Sequence, residues 1–327
     1  MPKNDSGLIA LSNSLADAVQ SAGQSIVTVD ARPRLPSSGV VTASGLVLTA
    51  SHTVQEDEIK VILPDGDELK AELLGRDPHS DLALLKLSAK KGTAAKANED
   101  PRVGQLALAL GRPSAEGVQA SLGIVSAIGG PLRSPYGGLL ESYLRTDAIP
   151  YPGFSGGPLV DAEGQVLGIN TSGLGMGASL TIPAKLAWKI AAAIEEHGGV
   201  KRGYLGVRSQ LVEIPTESSK ALKREQTSGL LVMGVEDNSP AAAAGLIVGD
   251  IIVGFAGEAL ADHDELLVQL NSGVVGKASE IEVLRGGKPQ MVKVTTGELK
   301  ESAEERPHYG YRRGRRFGRR MPWGCGR

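Results

Sequence analysis

The sequence feature that most constrains the fold is a succession of short apolar segments, each ended by a turn, between residues 25 and about 180. Strong turn signals such as Pro64-Asp65-Gly66 separate these segments. Short strands that repeat this often are typical of β-barrels and β-sandwiches. The clearest predicted strands are residues 26–29, 39–42, 45–49, 59–63, 82–87 and 105–110.

Helical patterns flank this β-rich stretch. Near the N-terminus, four apolar residues recur at helical spacing: Leu8, Leu11, Leu15 and Val19. They predict a helical segment within residues 1–24. A second apolar face predicts a helix at about 184–196, which Gly198-Gly199 would end. Residues 25–198 are therefore predicted to form one mainly β domain.

Residues 199–297 combine strand patterns with two helix signals, and so predict a separate α+β domain. Ser239-Pro240 is a helix start with proline at the first helical position. Asp262 followed by Glu265 resembles a capping box ahead of an apolar run. The last segment, residues 298–327, is polar, ends in an Arg- and Gly-rich stretch and lacks periodicity, so we expect it to be disordered.

Composition and charge exclude several function classes. The net charge of −2 indicates no general affinity for nucleic acid, and the basic tail is interpreted as a solvated segment without a specific nucleic-acid partner. The single cysteine, Cys325, excludes an intramolecular disulfide. We find no metal-ligand pattern and expect neither a metal nor another cofactor.

The opening residues bear on location. Residues 8–11 form an apolar run that is too short to be the core of a signal peptide, and polar residues follow it at once. No stretch of roughly 18 apolar residues predicts a membrane span. The sequence as written therefore predicts a cytoplasmic protein. A chain whose N-terminus had been trimmed would look the same, and would allow a periplasmic or other extracytoplasmic location.

The sharpest chemical signal is Ser155, which lies in the glycine-rich segment 153–157. A serine hydroxyl becomes a useful nucleophile when a base accepts its proton and N–H donors receive the oxyanion. The segment matches the G-x-S-x-G elbow of α/β-hydrolases, but that motif requires a helix after the serine. Here Pro158 and a strand–turn–strand pattern follow, which disfavours the hydrolase alternative.

The other arrangement places the base and its orienting acid before the serine. His52 follows a predicted strand and Asp81 precedes another, so the order along the chain is His52, Asp81, Ser155. This is the order of chymotrypsin-type proteases. In that mechanism His52 is the general base, Asp81 holds its tautomer, and the amides of Gly153 and Ser155 form the oxyanion hole. Each residue taken alone also fits an ordinary turn or surface position.

Longer segments around these residues resemble the HtrA (DegP-like) serine proteases. The resemblance lies in ASHTV at 50–54, SDLALLK at 80–86 and GFSGGPL at 153–159, and extends over about residues 10–297. It implies a chymotrypsin-like double β-barrel protease domain followed by one PDZ domain. It also implies an endopeptidase acting on unfolded or damaged proteins, and assembly as a homotrimer.

Residues 202–206 resemble the carboxylate-binding loop of the family's PDZ domain. The resemblance implies that Gly203, Tyr204, Leu205 and Gly206 receive the C-terminus of a bound peptide, which adds as a strand to the sheet edge. One residue departs from the family pattern. Phe154 stands where the family usually has asparagine before the nucleophile. The alternative function is therefore a catalytically impaired, chaperone-like scaffold that binds peptides.

Overall fold

The computed structural model describes residues 5–114, 116–134, 138–174, 180–271 and 273–299. It begins with helix α1 (Asp5–Gly23) and continues into a closed antiparallel barrel with strand order β1-β2-β3-β6-β5-β4. Its strands are β1 (Ile26–Asp30), β2 (Ser37–Ala43), β3 (Leu46–Ala50), β4 (Ile59–Ile62), β5 (Glu68–Asp77) and β6 (Leu82–Leu87). A 3-10 turn, Ser51–Thr53, follows β3 directly.

A second closed barrel has the order β11-β14-β13-β12-β7-β8, and a two-stranded ribbon, β9 with β10, extends from it. Helix α2 (Ala184–His197) follows and ends at Gly198, which is in the left-handed conformation. The strands are β7 (Leu106–Gly111), β8 (Gln119–Gly129), β9 (Leu132–Arg133), β10 (Leu139–Leu140), β11 (Tyr143–Thr146), β12 (Pro158–Val160), β13 (Val166–Thr171) and β14 (Leu180–Pro183).

Each barrel has its own core, and strands such as β1, β3 and β6 are buried on both faces. Valines such as Val27, Val47 and Val61 fill the first barrel, and Leu144 and Leu167 belong to the core of the second. A further apolar cluster joins the barrels to α1 and α2 through residues such as Ala18, Leu84 and Ile190. The two barrels thus pack as one body, and the cleft between them is where loops from both can meet.

The C-terminal unit contains a six-stranded antiparallel sheet in the order β16-β17-β18-β20-β21, with β19 paired to β18. A two-stranded ribbon, β15 with β22, and three helices complete its described part. Asp262 accepts the Glu265 amide at the start of α5, as its capping pattern predicts. The elements are β15 (Gly203–Tyr204), β16 (Val207–Glu213), α3 (Thr216–Ala221), β17 (Ser228–Val235), α4 (Pro240–Ala243), β18 (Ile251–Phe255), β19 (Glu258–Ala259), α5 (His263–Asn271), β20 (Ala278–Arg285), β21 (Lys288–Thr295) and β22 (Gly297–Glu298).

The predicted fold class is confirmed: a mainly β, double-barrel domain precedes an α+β domain. One difference concerns residues 298 and 299, which the sequence assigned to the disordered tail. Glu298 pairs with Gly203 in β15, and the Leu299 amide donates to the Arg202 carbonyl at 2.8 Å. Backbone pairing of this kind needs no side-chain periodicity, so the pattern did not reveal it. The remainder of the predicted tail lies outside the described residues.

No helix within the described ranges is long and apolar enough to cross a membrane.

Candidate active site

The register of two neighbouring strands brings His52 and Asp81 together. In the β3–β6 pair Ala50 lies opposite Leu82, so the residues just after β3 and just before β6 share one end of the barrel. His52 Nδ1 lies 2.6 Å from Asp81 Oδ2, and the His52 amide donates to Asp81 Oδ1 at 2.8 Å. Side chain and backbone of His52 therefore hold the same carboxylate.

The Asp81 carboxylate is fully buried and receives a further hydrogen bond from the second barrel. The hydroxyl of Thr171, at the end of β13, donates to Asp81 Oδ2. Asp81 also has a φ of +56°, in the left-handed region that non-glycine residues seldom adopt. Strain of this kind persists where surrounding contacts enforce it, commonly at functional sites. Thr171 carried no signal of its own in the sequence, because its contact with Asp81 spans 90 residues.

Asp77 lies four residues before Asp81 but faces elsewhere. Its carboxylate accepts a hydrogen bond from the Ser80 hydroxyl at 2.7 Å and pairs with Arg202, whose Nη2 lies 2.5 Å from Asp77 Oδ1. The turn between β5 and β6 thus presents one buried carboxylate to His52 and another to the segment that leads into the C-terminal domain.

Ser155 is held in the seam between the two barrels. The Ser38 amide on β2 donates to the Ser155 carbonyl at 3.2 Å, and the Ser38 hydroxyl donates to the Gly153 carbonyl at 2.8 Å. The Ser155 hydroxyl lies 3.1 Å from that of Ser172, which follows β13. Neither Ser38 nor Ser172 was singled out in the sequence, since each contact joins segments that are remote along the chain.

Glycine is required on both sides of Ser155. Gly153 and Gly156 have φ angles of +89° and +85°, which side chains disfavour. A Cβ on Gly153 would lie 2.4 Å from Pro113, and one on Gly156 would lie 2.2 Å from the Ser38 carbonyl oxygen. The glycines therefore permit both the turn and the close contact with the first barrel.

The two amides expected to form the oxyanion hole are available. Phe154 and Gly157 donate their amides to the carbonyls of Tyr151 and Phe154, at 3.0 and 2.8 Å. In contrast, the amides of Gly153 and Ser155 donate to no acceptor in the part of the chain that the structure describes. Two N–H groups beside a serine hydroxyl are the arrangement that stabilises a tetrahedral oxyanion. No group of three or more metal-ligating side chains occurs among the described residues.

The predicted carboxylate loop, residues 203–206, leads into the edge strand β16 of the C-terminal sheet. Gly206 has a φ of +78°, and a Cβ there would lie 2.3 Å from Ser239. The carbonyls of Leu205 and Gly206 accept the amides of Ala241 and Glu236. Across the described residues, their own amides have no acceptor. Two unpaired amides at the start of an open sheet edge suit a peptide carboxylate.

Tyr204 and α5 border this loop. The Tyr204 hydroxyl donates to the Glu236 carboxylate, and this hydrogen bond raises the pKa of Tyr204. His263, the first residue of α5, lies 3.1 Å from the Ser209 hydroxyl on β16. The start of α5 therefore packs against the edge strand β16.

Comparison with known proteins identifies both units. Residues 37–169 match the trypsin-like peptidase domain family, and residues 203–296 match the PDZ domain family. The solved HtrA-type protease AlgW with decapeptide is 32% identical, with a TM-score of 0.74 and coverage of 88% of this chain and 99% of that chain. This chain belongs to the HtrA family of serine proteases. The serine endoprotease from Yersinia pestis is 30% identical, with a TM-score of 0.70 over 88% and 98% of the two chains.

Curated relatives belong to the same HtrA family. A probable periplasmic serine endoprotease, DegP-like, from Pseudomonas fluorescens is 36% identical over 282 residues, which cover 83% of this chain and 58% of the relative. The protein of the same name from Brucella suis is 35% identical and covers 81% and 53%. The chain thus spans somewhat more than half the length of these relatives.

These names correct one expectation. The cytoplasmic location predicted from the opening residues is wrong, because the HtrA relatives are named periplasmic and point to that compartment instead. A signal peptide is removed on export, so the first residues of a mature exported protein can resemble those of a cytoplasmic one. The expectation therefore rested on residues that do not determine the compartment.

Phe154, the departure from the HtrA pattern, has a structural role. Its side chain is fully buried in the core of the second barrel, beside Leu144 and Leu167. The Tyr151 ring meets it edge-on at 5.5 Å between centroids. A Cβ on Gly111 would lie 2.5 Å from the Phe154 ring, so this glycine makes room for the phenyl group. Phe154 therefore anchors the loop that carries Ser155.

We expect Phe154→Asn to lower both stability and reactivity, because it buries an unpaired amide and removes the anchor of the Ser155 loop. The loss in free energy of unfolding should be about 3 kcal/mol or more, and about 1 kcal/mol for Phe154→Leu. Thermal unfolding and the rate of fluorophosphonate labelling would measure the two effects. Phe255→Leu, a change at a fully buried phenylalanine in the other domain, should lower stability but leave labelling unchanged. Faster labelling of Phe154→Asn would contradict the anchoring role.

Proposed function

We propose that the chain is a serine endopeptidase that cleaves unfolded or damaged proteins, with its PDZ domain binding peptide C-termini. The observation that carries this proposal is the pairing of partly exposed His52 with the buried Asp81 carboxylate, combined with the unpaired amides of Gly153 and Ser155 in the described structure. The relatives named serine endoproteases support the same activity. An extended, unfolded chain is the substrate form that the family resemblance favours.

In the proposed reaction, Ser155 Oγ attacks the carbonyl carbon of the scissile peptide while His52 Nε2 accepts the hydroxyl proton. The negative charge that develops on the carbonyl oxygen is received by the amides of Gly153 and Ser155. His52 then passes its proton to the leaving amine, and a water molecule hydrolyses the acyl-enzyme by the same route. Asp81 keeps the His52 proton on Nδ1 and stabilises the imidazolium.

The alternative, an impaired protease that acts only as a scaffold, rested on Phe154. The burial of Phe154 in the barrel core counts against it, because apolar packing of the ring can hold the Ser155 loop in place of a polar side chain. The α/β-hydrolase alternative is excluded by the fold: strand β12, and no helix, follows Ser155.

We expect Ser155→Ala and His52→Ala each to remove nearly all hydrolysis of an unfolded protein, with effects that do not add, since the residues act as one unit. Asp81→Asn should reduce kcat by roughly 10⁴, by analogy with the Ser-His-Asp proteases, because the wrong His52 tautomer results. Rates of casein cleavage would measure these losses of activity. Ser88→Ala, a substitution at an exposed serine, is the control and should keep full activity. Hydrolysis that survives in Ser155→Ala would exclude the assignment.

Binding of peptide C-termini by the PDZ domain is supported by the unpaired amides of Leu205 and Gly206 at an open sheet edge. Family members have been solved with a decapeptide and with a tripeptide. A free carboxylate would receive the two N–H groups, and β16 would pair with the peptide backbone.

We expect Gly206→Val to weaken binding of a peptide with a free, hydrophobic C-terminus by at least about tenfold, because a side chain there would collide with Ser239 and displace the two amides. Calorimetric titration would measure it. Gly245→Val is the matched control: its φ of +77° is nearly that of Gly206, but no atom lies within 4 Å of its Cβ position. Amidating the peptide should weaken binding to the unchanged protein as well. Equal affinities for acid and amide would show that the loop receives no carboxylate.

We also propose that the protein forms a homotrimer. The support is an exposed apolar surface where α1 crosses the second barrel. Leu8 and Ile9 on α1 are 73% and 59% exposed, and Leu122 on β8 is 53% exposed. Contiguous exposed apolar surface of this kind marks interaction sites. The large apolar residues that line this surface are Leu8, Leu11, Leu15, Val19, Leu108 and Leu122.

We expect light scattering to give about three times the chain mass of 33.9 kDa. Leu11→Glu should shift the protein toward the monomer, because a charge in a buried apolar contact costs free energy. Met291→Glu places the same charge at an exposed apolar residue of the PDZ domain and should leave the trimer intact. A monomer in the unchanged protein would exclude the trimer without bearing on the catalytic proposal.

A further inference from the structure

Arg112, the residue that follows β7, is hydrogen-bonded to the first barrel and to α1 through both its backbone and its side chain. Its amide donates to the Ser38 hydroxyl at 2.8 Å, and its carbonyl accepts from the Thr28 hydroxyl at 2.7 Å. Its Nε donates to the Ile26 carbonyl at 2.9 Å, and its Nη2 donates to the Gly23 carbonyl at 3.2 Å. Arg112 therefore fastens the end of a strand of the second barrel to α1, β1 and β2.

The guanidinium of Arg112 caps the C-terminus of α1. The last carbonyls of a helix have no partner within the helix and carry partial negative charge, which a nearby cation stabilises. The last turn of α1 contains no basic residue, and Gly23 is its final residue. Arg112 supplies this charge from the second barrel. It forms no ion pair with a carboxylate of the described ranges, so its partners are the two carbonyls.

The backbone of Arg112 sets the direction of the Ser38 hydroxyl. A hydroxyl has one proton to donate. Because the Arg112 amide occupies a lone pair of Ser38 Oγ, that proton is left for the Gly153 carbonyl, 2.8 Å away. The Ser38 amide holds the Ser155 carbonyl in turn. The two carbonyls held by Ser38 thus lie on either side of the Ser155 amide, one of the two proposed oxyanion donors.

The residues on both sides of Arg112 contact the loop of the nucleophile. Gly111 makes room for the Phe154 ring, since a Cβ on this glycine would lie 2.5 Å from it. Pro113 lies so close to Gly153 that a Cβ on Gly153 would approach it to 2.4 Å. The end of β7 therefore supports the loop by direct packing as well as through Ser38.

We propose that Arg112 is a positioning residue for Ser155, an inference that rests on the proposed peptidase function. By holding the end of β7 against the end of α1, Arg112 keeps the Ser38 hydroxyl in place. Ser38 then keeps the backbone around Ser155 in the geometry that presents the two oxyanion amides. The helix that carries the exposed apolar surface, α1, thus also supports the nucleophile.

The kinetics of fluorophosphonate labelling test this role, because the probe reacts with an activated serine. We expect Arg112→Met to lower the maximal labelling rate, kinact, at least about tenfold, the effect of losing one charged hydrogen bond. The half-saturating probe concentration, KI, should change little, since oxyanion donors act mainly in the transition state. Arg112→Lys keeps a charged donor and should restore much of the rate.

Arg224→Met is the matched control. Arg224 is also partly buried, and its Nη2 donates to a backbone carbonyl, that of Val253, at 2.8 Å, but it lies in the PDZ domain. Its substitution should lower the stability of that domain and leave kinact unchanged. Thermal unfolding of both variants would set a temperature at which each is folded, so that the labelling rates report reactivity alone.

Two further measurements distinguish positioning from a general structural role. In a Ser38→Ala background, Arg112→Met should lower kinact much less than in the unchanged protein, because the two residues act in one chain of contacts. Hydrogen exchange followed by mass spectrometry should show faster exchange of the paired amides of Phe154, Gly156 and Gly157 in Arg112→Met. The exchange measurement requires no catalysis.

Equal kinact in Arg112→Met and the unchanged protein would overturn the proposal, as would independent losses from Arg112→Met and Ser38→Ala that multiply in the double variant. If Arg112→Met does not fold, Arg112→Gln takes its place; it keeps one donor and should lower kinact about threefold or more. If the unchanged protein does not react with the probe, the peptidase function fails. In that case the exchange rates decide the role of Arg112, and unchanged rates overturn it.

Discussion

The buried carboxylate of Asp81 is the constraint on which the rest of the site depends. A charge taken fully out of water is tolerated only where hydrogen-bond donors surround it. Here the donors come from both barrels: the amide and imidazole of His52 from the first, and the Thr171 hydroxyl from the second. The same interactions that satisfy Asp81 therefore fix the orientation of His52 and join the two barrels.

The position of Ser155 depends on these contacts between the barrels. Ser38, on a strand of the first barrel, binds the backbone on both sides of Phe154, at Gly153 and Ser155. From the other side, Phe154 inserts its ring into the core of the second barrel. Polar contacts thus hold the loop against one barrel, and apolar packing holds it in the other. These contacts fix the amides of Gly153 and Ser155 in place without using their N–H groups.

The turn between β5 and β6 connects this site to the PDZ domain. Asp81, at the end of the turn, contacts His52. Asp77, at its start, pairs with Arg202, which immediately precedes the proposed carboxylate loop, residues 203–206. A second ion pair, between Arg133 Nε and Asp264 Oδ1 at 2.8 Å, joins the β9–β10 ribbon to α5. Charged contacts therefore link both the segment that precedes β15 and helix α5 to the protease domain.

The sequence by itself determined the strand-rich domain, the helix at about 184–196, the α+β unit behind it and the order His52, Asp81, Ser155. These follow from periodicity, turn residues and local motifs, which are properties of neighbouring residues. Only the tertiary structure decided that Thr171 completes the Asp81 environment, that Phe154 packs in the core of the second barrel, and that Asp77 pairs with Arg202. Each of these contacts joins segments that are distant along the chain, and their meeting is set by strand register and barrel packing, which local pattern does not encode.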